Sequence, residues 1–600
     1  MTRSLLLLLI PPLACCADPP SRHMEALGRG VVAVPAGDGK ALVSWRLLGN
    51  DPADIAFHVY RGVAGAEPVR VTAEPLTKAT CYLDTHDPAE PTHYVVRPVL
   101  AGREGPPCKP AALLAKPYHS IPLKTLPGHT PGDVSVGDLD GDGEYDFVVK
   151  QELRPRDNSQ KGPTGQTKLE AYKPDGTFLW RIDLGKNIRE GAHYTQFLVY
   201  DFDGDGRAEL MCKTADGTTD GAGKAIGDPA ADHRNADGYI LSGPEIFTVF
   251  DGKTGRALAT TDYVPGRGRV ADWGDAYGNR VDRFLAGVAY LDGTKPSAVF
   301  CRGYYTRAVL VAWDWRDGKL TRRWTFDSDA GNPDYRGQGD HSLTVGDVDG
   351  DGKDDIVYGA CCIGSDGKGL YSTGLGHGDA LHLSDLDPDR PGFEVFNVHE
   401  KPKQFGVSFR DARSGRVIWS VETGDVGRGL AADVDPRYPG AECWAAGGGV
   451  TGLYDCRGKK VSERRPRSCN FAVWWDGDQL RELLDRTQIA KWDWQKESDA
   501  VLLRAEGCSS NNGSKANPAL SADLFGDWRE EVVFRSADNT ELRIYTTPIP
   551  TELRLVTLMH DPQYRLAVAW QNVAYNQPPH PGYFLGHGMK PPPRPRIVTK

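Results

Sequence analysis

The chain has 600 residues, too many for one simple core, so two or more structural units are expected. It carries 71 basic and 81 acidic residues, and the net charge of −10 argues against nucleic acid as a partner. An anionic ligand would need local cations to overcome this charge, and bound metal could supply them. The 69 glycines and 43 prolines favour turns and short strands over long helices.

Residues 1–20 have the pattern of an export signal. Arg3 precedes an apolar run over residues 5–10, and small residues follow. The run is too short to span a bilayer, and no other segment has the pattern of a transmembrane helix. Cys15 is a candidate lipid-anchor site of the bacterial lipoprotein type. We therefore expect a secreted or periplasmic protein, free or lipid-tethered, with a monomer as the default.

Residues 25–115 are predicted to form a small N-terminal domain. The runs 41–46 and 56–61 alternate apolar and polar residues, and Gly, Asp and Pro clusters separate them. This pattern predicts an antiparallel β-sandwich of the fibronectin type III kind, about 90 residues long. The prolines at Pro106 and Pro117 suit a linker that closes this domain.

A second unit, residues 120–600, contains a recurring acidic motif. Repeats spaced by a few tens of residues in strand-rich sequence indicate an all-β propeller, and about 60 residues per four-stranded blade allow seven or eight blades. A helix-like segment from Asp478 to Leu484 is interpreted as a local insertion. Regular copies of the motif begin at Asp138, Asp201 and Asp347, and looser copies begin at Asp385, Asp433 and Asp523.

The regular copies have the composition of calcium loops. Carboxylates at positions 1, 3, 5 and 9 of a Gly-punctuated loop can surround one hard cation, and position 7 can add its backbone carbonyl. They are not EF-hands, because position 12 is Val149, Cys212 or Tyr358 instead of Glu. The alternative, an acidic surface turn, fits three near-perfect copies poorly. We predict several structural Ca²⁺ ions, without which the carboxylates would repel one another.

The predicted calcium ligands follow from these positions. In the regular loops they are Asp138, Asp140, Asp142, Glu144 and Asp146; Asp201, Asp203, Asp205, Arg207 and Glu209; and Asp347, Asp349, Asp351, Lys353 and Asp355. In two looser loops they are Asp385, Asp387 and Glu394, and Asp433, Asp435 and Glu442.

Five further segments carry a more specific pattern. They are 185–196 (GKNIREGAHYTQ), 272–283 (DWGDAYGNRVDR), 371–380 (YSTGLGHGDA), 470–478 (NFAVWWDGD) and 571–580 (QNVAYNQPPH). With them, the chain from about residue 28 to the C-terminus resembles the rhamnogalacturonan lyases of polysaccharide lyase family eleven. The resemblance implies an eight-bladed propeller, a small N-terminal β domain, several Ca²⁺ ions and a pectic substrate, the rhamnose–galacturonic acid backbone.

The resemblance also assigns site residues. The family's substrate-contacting Asn-Gly-Thr appears as Asn512, Gly513 and Ser514, and its sugar-contacting tyrosine is Tyr575. A family Asn is replaced by Gly132, and a family Asp is represented by Glu152. The resemblance implies a second kind of calcium site, in the cleft, with the ligands Asp133, His341, His377, Asp379 and Glu400.

Lyase chemistry removes the C5 proton of a galacturonate and expels the oxygen at C4. It needs a cation on the carboxylate and a base near C5. Lys515 directly follows Ser514, and Arg428 lies in a Gly-flanked turn. Lysine shifts its pKa readily whereas arginine holds its proton, so Lys515 is predicted as the base and Arg428 as the carboxylate clamp. The alternative is that both are solvated surface cations.

Two other functions compete with a lyase. One is a non-catalytic, calcium-dependent carbohydrate-binding or adhesion propeller, because Asp-rich loops also occur in such modules. The other is a glycoside hydrolase, which would need a carboxylate pair. Only a lyase produces an unsaturated uronate that absorbs ultraviolet light. The segment 401–404 is short and no blocking insertion is evident, which favours internal (endo) cleavage.

Overall fold

The computed structural model describes residues 20–63, 66–86, 92–400 and 406–600. The predicted signal peptide up to residue 19, including Cys15, and the segment 401–404 lie outside the described residues. Within the described ranges, no helix is long and apolar enough to cross a membrane.

Short β-strands, and not helices, are the main regular structure of the described chain, as its glycine and proline content predicts. The strands before residue 125 are β1 (Arg22–Met24), β2 (Val32–Pro35), β3 (Lys40–Ser44), β4 (Ala56–Val63), β5 (Val69–Arg70), β6 (Cys81–Thr85), β7 (Thr92–Leu100), β8 (Arg103–Glu104), β9 (Ala111–Ala112) and β10 (Tyr118–Pro122). The all-β class is therefore confirmed.

The larger unit continues in the same manner. Its strands are β11 (Thr130–Gly137), β12 (Asp146–Glu152), β13 (Lys168–Tyr172), β14 (Phe178–Asp183), β15 (Phe197–Tyr200), β16 (Glu209–Ala215), β17 (Thr218–Thr219), β18 (Ala225–Ile226), β19 (Glu245–Phe250), β20 (Ala257–Asp262), β21 (Phe284–Ala289), β22 (Ser297–Arg302), β23 (Val309–Arg316), β24 (Lys319–Asp327), β25 (Thr344–Gly346), β26 (Asp355–Tyr358), β27 (Cys361–Ile363), β28 (Gly369–Ser372), β29 (Gly378–Ser384), β30 (Glu394–His399), β31 (Val407–Asp411), β32 (Val417–Val421), β33 (Val426–Ala432), β34 (Glu442–Gly447), β35 (Leu453–Tyr454), β36 (Lys460–Ser462), β37 (Phe471–Val473), β38 (Glu482–Asp485), β39 (Gln488–Asp493), β40 (Ser498–Arg504), β41 (Cys508–Ser509), β42 (Leu520–Ala522), β43 (Glu531–Ser536), β44 (Glu541–Tyr545) and β45 (Ile597–Thr599).

Helical structure is sparse in the described chain. It comprises the α-helix α1 (Pro562–Trp570) and four 3₁₀ turns, Val270–Trp273, Pro333–Tyr335, Gly513–Lys515 and Leu558–His560. The helix expected from Asp478 to Leu484 is wrong, because that segment is a turn that enters strand β38. Carboxylates at Asp478 and Glu482 gave it a helix-like spacing, but they belong to an acidic loop.

The N-terminal strands form two small sheets that share one core. Their strand orders are β2-β3-β6 and β5-β4-β7-β8, with β9 also paired to β7. Val43 and Trp45 on one side pack with Phe57, Tyr94 and Val96 on the other. The predicted strands at 41–46 and 56–61 correspond to β3 and β4, so the alternating pattern located both.

The larger unit consists of eight successive sheets whose strands follow one another in chain order. The first is built on β11–β14 with β17 and β18 added at its edge, and the second on β15, β16, β19 and β20. The next five are β21–β24, β25–β28, β29–β32, β33–β36 and β37–β40, and the eighth joins β10 to β41–β44. The first strands of the first seven sheets contact one another in order from β11 to β37, and β42 of the eighth sheet contacts β11 of the first. The seventh and eighth sheets are joined by the Glu530 N–H, which donates to the carbonyl of Trp474. Antiparallel pairing of Tyr118 with Tyr545 ties the beginning of this unit to its end.

The acidic loops recur at one place in this architecture. In seven of the eight sheets, they join the innermost strand to the next one, between β11 and β12, β15 and β16, β25 and β26, β29 and β30, β33 and β34, β37 and β38, and β42 and β43. The motif spacing is irregular because insertions fall elsewhere in each sheet. Since these strand pairs are antiparallel, the start of the first strand and the end of the second lie together at the opposite end.

Helix α1 lies against the inner strands. It begins with Pro562 after the N-cap Asp561, whose side chain accepts the Tyr564 N–H. The helix contacts β11, β15, β21, β25 and β42, and most of its side chains are buried, which explains its lack of a polar face. It therefore packs on the inner strands of five of the eight sheets and leads directly to the segment 571–580.

A buried ion pair anchors α1 to the N-terminal segment. Arg565 donates to both carboxylate oxygens of Glu25 at 2.6 and 2.8 Å, and both residues are almost fully buried. We expect Glu25→Ala to lower the free energy of unfolding by about 3–5 kcal/mol, because the arginine charge would stay buried without its partner. Denaturant unfolding should show this loss, whereas Glu67→Ala at an exposed position should change little. Equal stability of the two variants would contradict the anchoring role.

Candidate active site

The predicted catalytic cations meet at one tyrosine ring. The Lys515 Nζ lies 3.4 Å from the centre of the Tyr575 ring, and the Arg428 Cζ lies 5.1 Å from it. His341 stacks on the same ring, with 4.0 Å between centres. Arg428 belongs to β33, Lys515 precedes β42 and Tyr575 follows α1, so three separate parts of the chain build this point. All lie at the end of the sheets opposite to the acidic loops.

Backbone geometry presents Lys515 to the site. It ends the 3₁₀ turn Gly513–Lys515, between Asn512 (φ 59°) and Ala516 (φ 53°) in the left-handed region. The Asn512 amide donates to Asp133 at 3.0 Å and to Asn576 at 2.9 Å. The Asn-Gly-Ser segment is therefore held by contacts to β11 and to the C-terminal segment, and it projects the lysine over Tyr575.

The surroundings of Lys515 change its proton affinity. Burial and the nearby Arg428 lower the pKa of Lys515 to about 8, although Asp379 and Glu400 oppose this shift. The Lys515 Nζ is 4.0 Å from the nearer Asp379 oxygen. Arg428 forms no ion pair with any carboxylate of the described residues, and it bonds only the carbonyl of Gly427. This pair of cations is thus suited to receive an anionic group.

Four residues beside this pair could hold a metal ion. Ligand atoms of His341, His377, Asp379 and Glu400 all lie within 4.8 Å of one another. The His377 Nδ1 bonds the carbonyl of Gly339 at 2.5 Å, which directs its Nε2 into the group. That Nε2 and the Oδ1 of Asp379 are buried without a hydrogen-bond partner. Buried, unpartnered nitrogen and oxygen donors facing one another fit a bound cation.

The protonation tendencies of this group agree with such a fit. Burial lowers the pKa of His377 to about 4, so its imidazole is neutral and can act as a ligand. Burial and Asp379 together raise the pKa of Glu400 to about 7. A cation would offset this unfavourable burial of negative charge.

Asp133 lies outside this metal group. Its oxygens accept hydrogen bonds from Lys150 at 2.7 Å, Asn512 at 3.0 Å and Asn576 at 3.2 Å. Lys150 is itself fully buried and 3.8 Å from Glu152. Asp133 therefore contacts the Asn512 segment, and its assignment as a metal ligand stays a prediction.

Gly132 and Glu152 lie near the same end on the paired strands β11 and β12. A side chain at Gly132 would approach the Lys150 carbonyl to 3.3 Å and the Glu152 carboxylate to 3.5 Å. Burial raises the pKa of Glu152. Their assignment to the substrate stays a prediction.

The three regular acidic loops share one hydrogen-bonding scheme. The position 1 carboxylate of Asp138 accepts the N–H groups of Gly141, Asp142 and Gly143 at 2.7–3.1 Å. Gly141 and Gly143 have φ values of 81° and 83°, which only glycine adopts easily. Asp201 and Asp347 accept the corresponding N–H groups in their loops.

Clusters of facing carboxylates occur in these loops. Five groups with mutually close ligand atoms are found in the described ranges, and four of them are acidic. The acidic ones are Asp138, Asp140 and Asp146; Asp201, Asp203 and Glu209; Asp347, Asp349 and Asp351; and Asp476, Asp478 and Glu482. Burial raises the pKa of Asp146 and of Asp201 to about 7.

The remaining predicted loop positions form ion pairs or hydrogen bonds with neighbouring residues. Lys173 bonds Asp142 at 3.0 Å, and Lys109 bonds Glu144 at 2.6 Å. Arg207 pairs with Asp205 at 2.7 Å, Lys353 pairs with Asp351 at 3.2 Å, and Asp355 accepts the Val348 N–H. The side chains at position 7 therefore form surface ion pairs, while the proposed role of their backbone carbonyls stays a prediction.

The looser loops are less regular. Glu394 accepts the N–H groups of Leu386 and Asp387, and Glu442 does the same for Val434 and Asp435. Arg437 pairs with Asp435 at 2.6 Å. Buried oxygens of Asp385, Asp433, Glu442 and Asp523 nevertheless have no hydrogen-bond partner.

Sequence reasoning missed the acidic group at Asp476, Asp478 and Glu482. Its signal was the Asp-Gly-Asp step after a short apolar run, at the start of the segment interpreted as a helix. Lys491 contacts Asp478 at 2.6 Å and Glu482 at 3.1 Å.

It also missed an aromatic wall beside the metal group. The Tyr304 and Tyr305 hydroxyls lie 2.9 and 3.0 Å from the two ring nitrogens of His341. His193 lies 3.3 Å from the Tyr304 hydroxyl. Tyr304 follows the second strand of its sheet, which is the position that Glu400 occupies in another sheet.

Two family models match the chain, and they define its class. "Rhamnogalacturonan lyase family 11, C-terminal domain" matches residues 125–595, and "Rhamnogalacturonan I lyases beta-sheet domain" matches residues 22–113. The chain belongs to rhamnogalacturonan lyase family 11, and is thus a polysaccharide lyase. The family recognised from the motifs is confirmed.

Similar proteins are known from Bacillus. The chain is 55% identical to the rhamnogalacturonan endolyase YesW of Bacillus subtilis, over 99% of this chain and 97% of that protein. It is 53% identical to the exolyase YesX of the same organism, over 96% and 98%. The crystal structure of YesW superposes with a TM-score of 0.93, covering 97% of this chain and all of that one. A Bacillus licheniformis family 11 lyase, 58% identical, gives the same score and coverage.

Proposed function

We propose that this protein cleaves the rhamnose–galacturonate bond of rhamnogalacturonan I by calcium-assisted β-elimination, leaving an unsaturated galacturonate. One observation carries the proposal: Lys515 and Arg428 meet on Tyr575 directly beside the His341 metal group. Together, these residues would bring a divalent cation, two cationic side chains and the Tyr575 hydroxyl to one anionic sugar. That hydroxyl has no hydrogen-bond partner in the described part of the chain.

The chain's own residues divide the chemistry. Arg428 orients the galacturonate carboxylate and stabilises the charge that builds on it as the C5 proton leaves. Neutral Lys515 accepts the C5 proton, and the C5–H electron pair forms the C4=C5 double bond as the C4–O bond breaks. The departing oxygen takes a proton from solvent and leaves as a hydroxyl of the released sugar. Asn512, anchored by Asp133, fixes the loop that carries the base. A divalent cation held by His341, His377, Asp379 and Glu400 would supply further stabilisation of the uronate carboxylate.

We propose that this metal and the ions of the acidic loops are Ca²⁺. Carboxylate oxygens are the ligands that calcium prefers, and buried oxygens of several loops lack partners. The loops lie at the opposite end of the sheets from Lys515, so their ions would serve stability and the ion at His341 would serve turnover.

The proposal extends to architecture and location. Eight sheets in a ring of contacts support an eight-bladed propeller over residues 120–600, and the two N-terminal sheets support a β-sandwich domain over residues 25–115. Export of an enzyme that acts on pectic polysaccharide agrees with the signal pattern of residues 1–20, and a monomer is the default state.

The test is the product. Purified protein with rhamnogalacturonan I and Ca²⁺ should generate ultraviolet-absorbing unsaturated ends, whereas a hydrolase would release saturated ends and a binding module would release none. New reducing ends without ultraviolet absorbance would show that the protein is a hydrolase and not a lyase.

We further propose internal cleavage. The sequence identities, 55% to an endolyase and 53% to an exolyase, do not distinguish the two modes of cleavage. The viscosity of the polymer during the reaction does distinguish them. Viscosity should fall sharply while few bonds have been cut. Disaccharide release with slowly declining viscosity would instead mean exo action.

A further inference from the structure

An arginine-rich groove runs along the outer strands of the sheet β37–β40. It has a volume of about 960 Å³, and buried Trp492 contributes to its lining. Its arginines are Arg464, Arg465, Arg467, Arg486 and Arg504, which we call the arginine groove. All but Arg465 are exposed, so their charged groups are accessible to a ligand.

The five guanidinium groups outnumber the four carboxylates that line the same groove. None forms an ion pair with a carboxylate in the described ranges, although Asp485, Glu497, Asp499 and Glu506 also line the groove. Three of these carboxylates are used by other donors: Asp485 by Asn470, Glu497 by Ser462 and Asp499 by the backbone N–H of Arg467. In a protein of net charge −10, a groove lined by five arginines and four carboxylates is a locally cationic surface.

The arginine groove leads to the candidate active site. Asp485 and Arg486 also line a smaller adjoining cavity of about 340 Å³, together with Gly513 and Ser514. The backbone N–H of Arg486 donates to the carbonyl of Ala516 at 3.1 Å. The turn at Arg486 is thus bonded to the loop that carries Lys515, and a chain leaving the site could continue into the groove.

We propose that the arginine groove binds a remote stretch of the polyanionic uronate chain whose scissile bond lies at Lys515. This inference rests on the proposed function and deepens it. Guanidinium groups bind carboxylates bidentately, and a uronate polymer presents a carboxylate at regular intervals. Holding the polymer there lowers KM for long chains without changing the chemistry at Lys515, and short oligosaccharides do not reach the groove.

The test removes three of these charges by Arg464→Gln, Arg467→Gln and Arg504→Gln in one variant. The matched control carries Arg256→Gln, Arg322→Gln and Arg413→Gln, which remove the same charge from exposed arginines that have no ion pairs. KM for rhamnogalacturonan polymer should rise by about five- to twenty-fold in the first variant only, given the usual worth of exposed ion pairs. Its kcat, and both constants on a short oligosaccharide, should match wild type.

Affinity electrophoresis in gels containing the polymer gives a readout that does not depend on turnover. Wild type and control should be retarded, and the groove variant should run faster, with its retardation less sensitive to salt. Equal KM and equal retardation of the groove and control variants would overturn the inference. If wild type forms no unsaturated product, the proposed function fails, while electrophoresis still decides whether the groove binds the polymer.

Discussion

Lys515→Ala should reduce kcat by about 10²- to 10⁴-fold, the usual contribution of a positioned proton-transfer group. The loss should be specific, because Lys515 lies in a loop, its side chain forms no hydrogen bond with any described residue, and its Nζ is 4.0 Å from Asp379. Folding, calcium content and binding of a rhamnogalacturonan oligosaccharide should remain close to wild type. Kinetics followed by product absorbance, with calorimetric binding, would measure each quantity.

Two companion variants separate a base from a simple positive charge. Lys515→Arg should not restore turnover, because a guanidinium does not release its proton. Arg428→Ala should raise KM and lower kcat together, because a clamp acts on both the bound substrate and the transition state. Lys319→Ala, at an exposed position, is the matched control and should leave KM and kcat unchanged. Near-wild-type turnover in Lys515→Ala would remove Lys515 from the mechanism and direct attention to His377.

The acidic loops were predictable because their information is local. Asp-x-Asp-Gly-Asp-Gly encodes its own turn: the position 1 carboxylate, as in Asp201, binds N–H groups three to five residues later, and glycine supplies the positive φ values. The same reasoning failed at Asp478, where only two carboxylates precede Glu482 and local spacing also fits a helix. A strand assignment there depends on pairing with β37 and β39, which is not local.

The candidate site could be predicted only as separate pieces. Tyr575 was named through the family resemblance, and Lys515 and Arg428 were chosen for their sequence positions and side-chain chemistry. Their meeting at one ring follows from the order of the sheets. Tyr304 and Tyr305 were missed because an aromatic pair after a strand is most often core. Asp133 was assigned to the metal through the family resemblance, and its contacts with Lys150 and Asn512 could not be read from the sequence because they join separate parts of the chain.

Removing Ca²⁺ should lower both thermal stability and activity, by separable routes. An ion that binds only the folded protein adds about 4 kcal/mol to the free energy of unfolding when its free concentration is about 1,000 times its Kd. Losing several such ions should therefore lower Tm by about 10 °C or more. Loss of the ion proposed at His341 should lower kcat by about 10²-fold or more. Asp349→Ala should mainly lower Tm, and Asp379→Ala should mainly lower kcat, with Asp334→Ala as the exposed control.

The pH dependence of the metal-free protein provides an independent check on the acidic loops. Without cations, burial raises the pKa of Asp146 and Asp201 to about 7 and that of Asp355 to about 8, above the usual value near 4 of an unfolded chain. The folded state then binds more protons than the unfolded state, so the stability from these groups is present below about pH 4 and is lost as pH rises towards 8. Chelated protein should therefore melt at a lower temperature at pH 8 than at pH 5.5, and added Ca²⁺ should narrow that difference because it replaces the protons. A chelated, metal-free protein that keeps both its Tm and its rate at pH 8 would contradict the calcium assignment for loops and site alike.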